Sequence, residues 1–480
     1  MCQYHLEGVT NGPSKDYKME MVAKSYLNWI DPNKIGPELD DGTWASQFND
    51  NCAWSSSKLN DLKAQLKIAD SANLPLTSSC CIYRVPPKLR KVNEEAYTPS
   101  VVSIGPYHHQ DKRLESMQEL KVWYVNRFLK RTPQKSLDDY LKALEDMEDK
   151  IRHGYSETIK MKSDEFVSMI LTDACFIIEF FLACLGLEDP LVKKLWPTAD
   201  IKLDLILLEN QLPFFVLTNL FDLAFPTGFN GELSFVKLTF DVFVNVFLRE
   251  LYPNKETHPK FMRNFNYDSL HQVQHLCDML RTFYLPSDPS PRGADAIMKR
   301  SHSVSLLHEA GMKFEVDKES SVTKLQCSDK TMLKIPSIVV SDWTETMLRN
   351  VVAFEQCHYP FSGYVTDYIC LLDNLIDTGK DVEILVRKKI LENLMADSNG
   401  VACMVNKLCK NVLVTNTNTD YISLCEEMDK FCDNPYHKYR AIFVREYWST
   451  PWKIASVLAA TLLLLLTFIQ TISSVNLAKN

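Results

Sequence analysis

The sequence predicts a mainly α-helical fold: a large globular body with a small antiparallel β element and one C-terminal transmembrane helix. Apolar residues recur at three- and four-residue spacing along most of the chain, which is the helical period. Only 312–341 alternates with the two-residue period of a strand. A single run of 25 uncharged residues, 454–478, lies between Lys453 and Lys479. With 480 residues, 46% of them hydrophobic and 24% charged, the chain is long enough for one large or two ordinary domains. Its 14 glycines are too few to suggest Gly-rich phosphate loops, and a formal charge of −8 argues against a dedicated nucleic-acid surface.

Residues 1–55 mix Gly, Pro, Asn and Asp without a period and read as loop-rich or partly disordered. A mainly helical domain is expected over 56–445. It opens with a short amphipathic helix through Leu59, Leu62 and Leu66. The stretch 113–131 carries Leu114, Met117, Leu120, Tyr124, Val125, Phe128 and Leu129 on one stripe. The next, 136–151, starts at a Ser136 cap with Asp139 in its first turn. Further helices are predicted over 268–285, 343–357, 365–379 (with Gly379 as its stop) and 381–395. KFEV and MLKIPSIVV, either side of a polar turn, supply the strands. PSDPSPRGA at 286–294 is the best place for a lobe boundary.

Two stretches compete as membrane spans, 166–187 and 454–475, and each holds twelve Leu, Ile, Phe or Val residues. Either gains about −4 to −7 kcal/mol in a bilayer by that count. In 166–187, Asp173 and Glu179 cost ~3 kcal/mol each and cancel most of the gain, so this stretch reads as a buried core helix. The tail carries no such penalty, which makes 454–475 the span, followed by a short tail at 476–480. Lys438, Arg440, Arg445 and Lys453 precede the span and only Lys479 follows it. A single-pass anchor in the plasma membrane or an endomembrane, with a cytosolic body and bilayer lipid as its first partner, is therefore expected.

Chemistry-bearing residues are weighed next. His108 and His109 follow Gly105-Pro106 and Tyr107, so they sit on a turn where adjacent rings diverge and rarely share one metal. His271 and His275 have the spacing of a zinc helix, but Gln272 stands where a metalloprotease needs a base, so helix-surface histidines are expected. In 204–217, Glu209, Asn210 and Gln211 lie within an apolar helix broken at Pro213. Three polar groups at that depth need partners, and a hydrogen-bonded knot is the first reading, with a buried general acid as the alternative. Asp173 raises the same question. Cys357 and His358 are too close in sequence to form a nucleophile–base pair without special geometry. The 14 cysteines contain no C-x-x-C and read as reduced, mostly buried thiols. No metal or cofactor is expected.

Taken together, CIYRVPPKLR at 81–90, AYTPSVVSIGPYHH at 96–109, FVSMILTDACFIIEFF at 166–181, DLILLENQLPFFVL, TETMLRNVVAFEQC at 344–357 and DYICLLDNLIDTGKDV at 367–382 resemble the domain of unknown function 247 family of plants. The resemblance runs from about residue 80 through the C-terminal anchor. Three places depart from the pattern: Ala174, Gln118-Glu119-Leu120, and Ser305-Leu306. A histidine usual at the second place is missing, which disfavours a histidine-rich centre. The resemblance implies no enzymatic activity. It implies recognition biology, since some grass members are linked to self-incompatibility as pollen-side components paired with small secreted proteins. The expected function is thus a membrane-anchored recognition or signalling protein without catalysis, with a protein partner engaged directly or indirectly. The alternative is a membrane-tethered, hydrolase-like enzyme using buried carboxylates or histidines.

Overall fold

The computed structural model describes residues 79–477 apart from 194, 230, 232, 252–264, 266, 287–291, 293–295, 319–320 and 449. The expected N-terminal region, the helix through Leu59 and most of the 286–294 segment lie outside the described residues. The first half is built from α1 (Pro87–Arg90), α2 (Ser116–Arg131), α3 (Leu137–Glu145), α4 (Glu148–His153), α5 (Ser163–Cys184), α6 (Leu195–Asp204), α7 (Phe214–Ala224) and α8 (Phe235–Leu251). Ser136 caps α3 in a full capping box with Asp139, as its sequence predicts. The stretch 136–151 divides into α3 and α4 rather than forming one helix.

Helix α5 is the axis of this half, with α2, α3, α7 and α8 packed around it. Its apolar window is 89% buried. The two charges that argued against a span are neutralised from α2: Lys121 Nζ lies 2.6 Å from Asp173, while Arg127 and Arg131 reach Glu179 at 2.9 and 2.7 Å. Aromatic contacts fill the remaining space, including Tyr124 edge-on to Phe176 at 5.1 Å and Phe181 stacked on Phe235 at 6.3 Å.

The second half contains α9 (Leu276–Thr282), α10 (Val304–Ala310), α11 (Asp342–His358), α12 (Tyr364–Leu375), α13 (Gly379–Arg387), α14 (Ser398–Leu408) and α15 (Thr419–Asp433). Strands β1 (Lys313–Asp317), β2 (Gln326–Ser328) and β3 (Met332–Pro336) form one sheet, and β4 (Ile338–Val340) pairs with β5 (Leu391–Asn393) in another. β1 to β4 lie in 312–341, where the two-residue period predicts strands, whereas β5 does not, and the pairing is mixed. β2–β3 is antiparallel, whereas β1–β3 and β4–β5 are parallel.

Three helix predictions are corrected here. Gly379 does not stop α12; it opens α13 behind a Thr378–Asp381 capping box, and a Cβ on it would fall 2.4 Å from Asn399 Oδ1. The helix expected over 381–395 ends at Arg387, because Lys389 turns into the left-handed region at φ 59° and the chain continues as β5. The helix expected over 268–285 is a 3₁₀ turn at Tyr267–Gln272 followed by α9. His275 is the N-cap between them, so it does not share a helix face with His271.

Two helices close the chain, α16 (Pro435–Tyr447) and α17 (Pro451–Leu477). Two described helices are long and apolar enough to cross a membrane, α5 and α17, with mean hydropathies of 2.0 and 2.1. None of the α17 window is buried, in contrast to α5.

Candidate functional site

The segment Val101-Val102-Ser103-Ile104 bends at Val101, has no regular secondary structure and joins neither sheet. Val102, Ser103 and Ile104 are buried, so their backbone groups need partners other than water. Side chains supply them. The Asp204 carboxylate accepts the N–H groups of Ser100, Val101 and Val102 at 2.9, 2.7 and 2.8 Å. Asn210 accepts from Ile104 N at 2.6 Å and donates to Val102 O at 3.0 Å. Lys121 Nζ donates to Ser103 O, and Asp173 accepts from Gly105 N at 2.8 Å. This segment is therefore held by a ladder of side chains rather than by a neighbouring strand. Burial pushes the Asp204 carboxyl up to about 6 despite its three N–H donors.

The chain turns at Gly105, whose φ of 70° is left-handed. A Cβ there would meet Gln211 O at 2.6 Å and the Tyr155 hydroxyl at 2.9 Å, so glycine is required twice over. The turn brings His108 to Glu209. The Glu209 carboxylate accepts from Val85 N at 2.7 Å and is paired with Arg84 at 3.0 Å and Arg90 at 2.6 Å. His108 Nε2 lies 3.4 Å from it, a charge contact poorly aligned for a hydrogen bond. Burial alone would raise this carboxyl; the contacts from His108, Arg90 and Val85 outweigh it and hold the group down at about 2. Arg84 also stacks 4.1 Å from the Tyr107 ring centre and pairs with Glu157 at 3.2 Å. The Tyr107 hydroxyl lies 3.2 Å from Ser156 Oγ. The Nδ1 of His109 is buried without a hydrogen-bond partner.

Gln211 ties this cluster to the second half. Its Nε2 donates to Leu205 O and Leu207 O at 2.8 and 2.7 Å, and its Oε1 accepts from Leu276 N at 2.9 Å, at the start of α9. Beside it, His275 is fully buried: Nε2 contacts Cys81 O at 3.0 Å and Nδ1 accepts from Asp278 N at 3.2 Å, which fixes a neutral tautomer. Burial, with a smaller push from His358, drives its pKa down to about 3. The expectation of a surface histidine is thus overturned. The Cys357 thiol is pushed up to about 12 by burial, and His358 Nδ1 faces the Tyr83 hydroxyl at 2.9 Å rather than that thiol.

All seven residues singled out in the sequence, Tyr107, His108, His109, Asp173, Glu209, Asn210 and Gln211, lie on or against the segment 100–109. Glu209, Asn210 and Gln211 do not sit within a helix. The chain leaves α6 at Asp204 and re-enters α7 at Phe214, because these side chains bond to backbone groups a helix would have used itself. Asp204, Lys121, Arg84 and Arg90 are equal members of the cluster that sequence reasoning missed. Lys121 did leave a signal, since it occupies a core position in the stripe Leu114, Met117, Lys121, Tyr124, Phe128. Among the described residues, no three His, Cys, Asp or Glu side chains converge as metal ligands would. The arrangement satisfies most of the buried polar groups it brings together, with His108 Nε2 and His109 Nδ1 left without a hydrogen-bond partner. A cavity of about 390 Å³ lies elsewhere, beside Thr323, Gln326, Tyr364, Asn418 and Glu427.

Residues 82–466, most of the chain, match a family described as a plant protein of unknown function, DUF247. The chain belongs to the DUF247 family. Three of the segments that carry the resemblance, CIYRVPPKLR, SIGPYHH and LLENQL, meet at Glu209. Two Arabidopsis thaliana proteins named as UPF0481 members are similar to this DUF247 chain. One is 31% identical over 82% of the chain and 86% of its own length. The other is 24% identical over 89% of the chain and 95% of its length. No solved structure matches.

Proposed function

We propose that this DUF247 protein is a membrane-anchored recognition or signalling protein without catalysis. The observation that carries the reading is the contrast between two helices of nearly equal hydropathy: α5 is wrapped by the body, and α17 leaves its apolar surface uncovered. An uncovered apolar helix of 27 residues spans about 40 Å at ~1.5 Å per residue, enough for a hydrocarbon core of roughly 30 Å. The absence of catalysis is supported by the full occupancy of Glu209 and His275. Glu209 is held ionised by three donors and His275 neutral by two hydrogen bonds. Neither has a free position for a substrate. The basic residues before α17 favour a cytosolic body. A pollen-side role in self-incompatibility is the sharpest form of the proposal and rests on the family resemblance; a cytosolic body would then meet a secreted partner only through another protein.

Protease protection in sealed microsomes, with tags at both ends, tests the anchoring. Digestion of the body with protection of the C-terminal tag is expected; a protected body reverses the orientation, and release of the chain by carbonate removes the anchor. Activity-based probes of the fluorophosphonate and epoxide classes test the catalytic alternative. Stoichiometric labelling of a serine or of Cys357 would overturn the non-catalytic reading.

A further inference from the structure

Helix α16 is docked on the body by one narrow face. His437, Ala441 and Val444, at i, i+4 and i+7, are its only half-buried residues. His437 stacks on Phe431 at 3.8 Å and its Nδ1 lies 2.9 Å from Ala310 O. The Arg440 guanidinium reaches over Gly311 at the end of α10. About 120° around the helix, at ~100° per residue, runs a second stripe: Tyr436, Tyr439, Phe443 and Tyr447. These rings are exposed, Tyr436 and Tyr439 at 70% and 72%. Trp448 and Trp452 continue the aromatic exposure toward α17, Trp452 at 83%. Lys438 and Arg445 are exposed on the opposite flank, and Lys453 follows. A soluble helix has no reason to turn four aromatic rings outward. Rings with an apolar body and, in the three tyrosines, a polar tip, followed by Lys453 at the start of the next helix, are what the headgroup region of a bilayer selects.

We infer that α16 lies in the membrane interface, with Tyr436, Tyr439, Phe443 and Tyr447 among the headgroups and upper acyl chains of an anionic leaflet, and Lys453 on lipid phosphates. The inference rests on the reading of α17 as a membrane anchor. Continuity argues for the bilayer over a protein partner, because α17 begins only three residues after α16 ends. Residues 448–450 join the two helices and Pro451 opens α17, so the two are not one continuous rod and α16 can lie along the surface while α17 enters it. The consequence is an oriented body: α16 is fixed to α10, so the face bearing α10 is held toward the lipid.

The test places a photoreactive benzoylphenylalanine at Tyr439, Phe443, Leu464 or Val122 in the full chain reconstituted into phosphatidylserine-containing bilayers, and counts lipid adducts by mass spectrometry. Leu464 reports insertion of α17, and Val122, exposed on α2, gives the background. Adducts at Tyr439 and Phe443 are expected at least ~5-fold above Val122, falling about threefold when phosphatidylserine is replaced by phosphatidylcholine. Adducts at Leu464 with background at Tyr439 and Phe443 overturn the interfacial helix and leave the anchor standing. Background at all three removes the anchor as well. Cross-links from Tyr439 or Phe443 to a second copy or another protein, in place of lipid, also overturn the proposal, and equal yields in neutral bilayers refute the selection for anionic lipid.

Discussion

Replacing Lys121 by Met breaks the most enclosed ion pair in the cluster, whose side chains are 0% and 1% exposed. The Asp173 carboxylate keeps its bond from Gly105 N but loses its counter-charge, and Ser103 O loses its donor. Breaking such a buried pair from one side costs about 3–5 kcal/mol, since the remaining charge is left uncompensated. Asp173→Asn strands the ammonium instead and costs a similar amount, ~3 kcal/mol. In the double variant Lys121→Met/Asp173→Asn no buried charge is left, and the amide oxygen still accepts from Gly105 N. The residual cost should fall to ~2 kcal/mol, mostly the unmet Ser103 carbonyl and lost packing. The double variant should thus be more stable than either single one, a coupling of several kcal/mol. Urea unfolding of the full chain in detergent, followed by tryptophan fluorescence, reads all four proteins. Additive costs, or a Lys121→Met cost below ~1 kcal/mol, would refute the claim that this pair pins the segment 101–104.

Three other outcomes are expected. Glu209 is depressed from 4.5 to about 2, so its contribution is fully present above about pH 4.5 and is lost as pH falls through about 2. Between pH 6 and 2.5 the wild type should lose ~2–3 kcal/mol that Glu209→Gln, already weaker at pH 6, does not lose, measured by denaturant titration at both pH values. His275 is shifted the other way from an ion-paired histidine, from 6.5 to about 3. The unfolded chain takes the proton first, and this contribution erodes as pH falls from about 6.5 toward 3. In histidine-labelled NMR spectra its ring should not titrate between pH 5 and 8, and a midpoint near 6.5 would contradict its burial. Gly105→Ala should cost ~2–4 kcal/mol from left-handed strain and the clash with Gln211 O, read as a lowered urea midpoint; an unchanged midpoint would mean that the turn yields easily.

Features set by local chemistry are visible in the sequence. The Ser136 box, the α2 stripe and the choice between α5 and α17 depend on neighbouring residues or on the charges Asp173 and Glu179. Features set by distant partners are not. The interruption at 205–213 looks helical by composition, and only the bonds from Gln211 to Leu205 O and Leu207 O, with Asn350 accepting from Leu208 N at 2.9 Å, explain why it is not. Nothing local in Val101–Ile104 reveals that its partners are Asp204, Asn210 and Lys121. Asp173, Glu209, Asn210 and Gln211 stand out because they are polar among apolar neighbours, and Tyr107, His108 and His109 because they follow the Gly105-Pro106 turn. Their roles were hidden, because a buried carboxylate that holds a backbone and one that does chemistry have the same sequence signature.

The side-chain ladder along 100–105 also has a consequence for biosynthesis. Ile104 waits for Asn210, 106 residues later in the chain, and Leu208 waits a further 142 for Asn350. At ~5–20 residues per second, the first delay is roughly 5–20 s on the ribosome. Throughout it Val101-Val102-Ser103-Ile104 is a β-branched, unpaired segment with every N–H unmet, the form in which a nascent chain adds to another strand. The segment that anchors the finished cluster is therefore the one a chaperone has most reason to hold while the protein is being made.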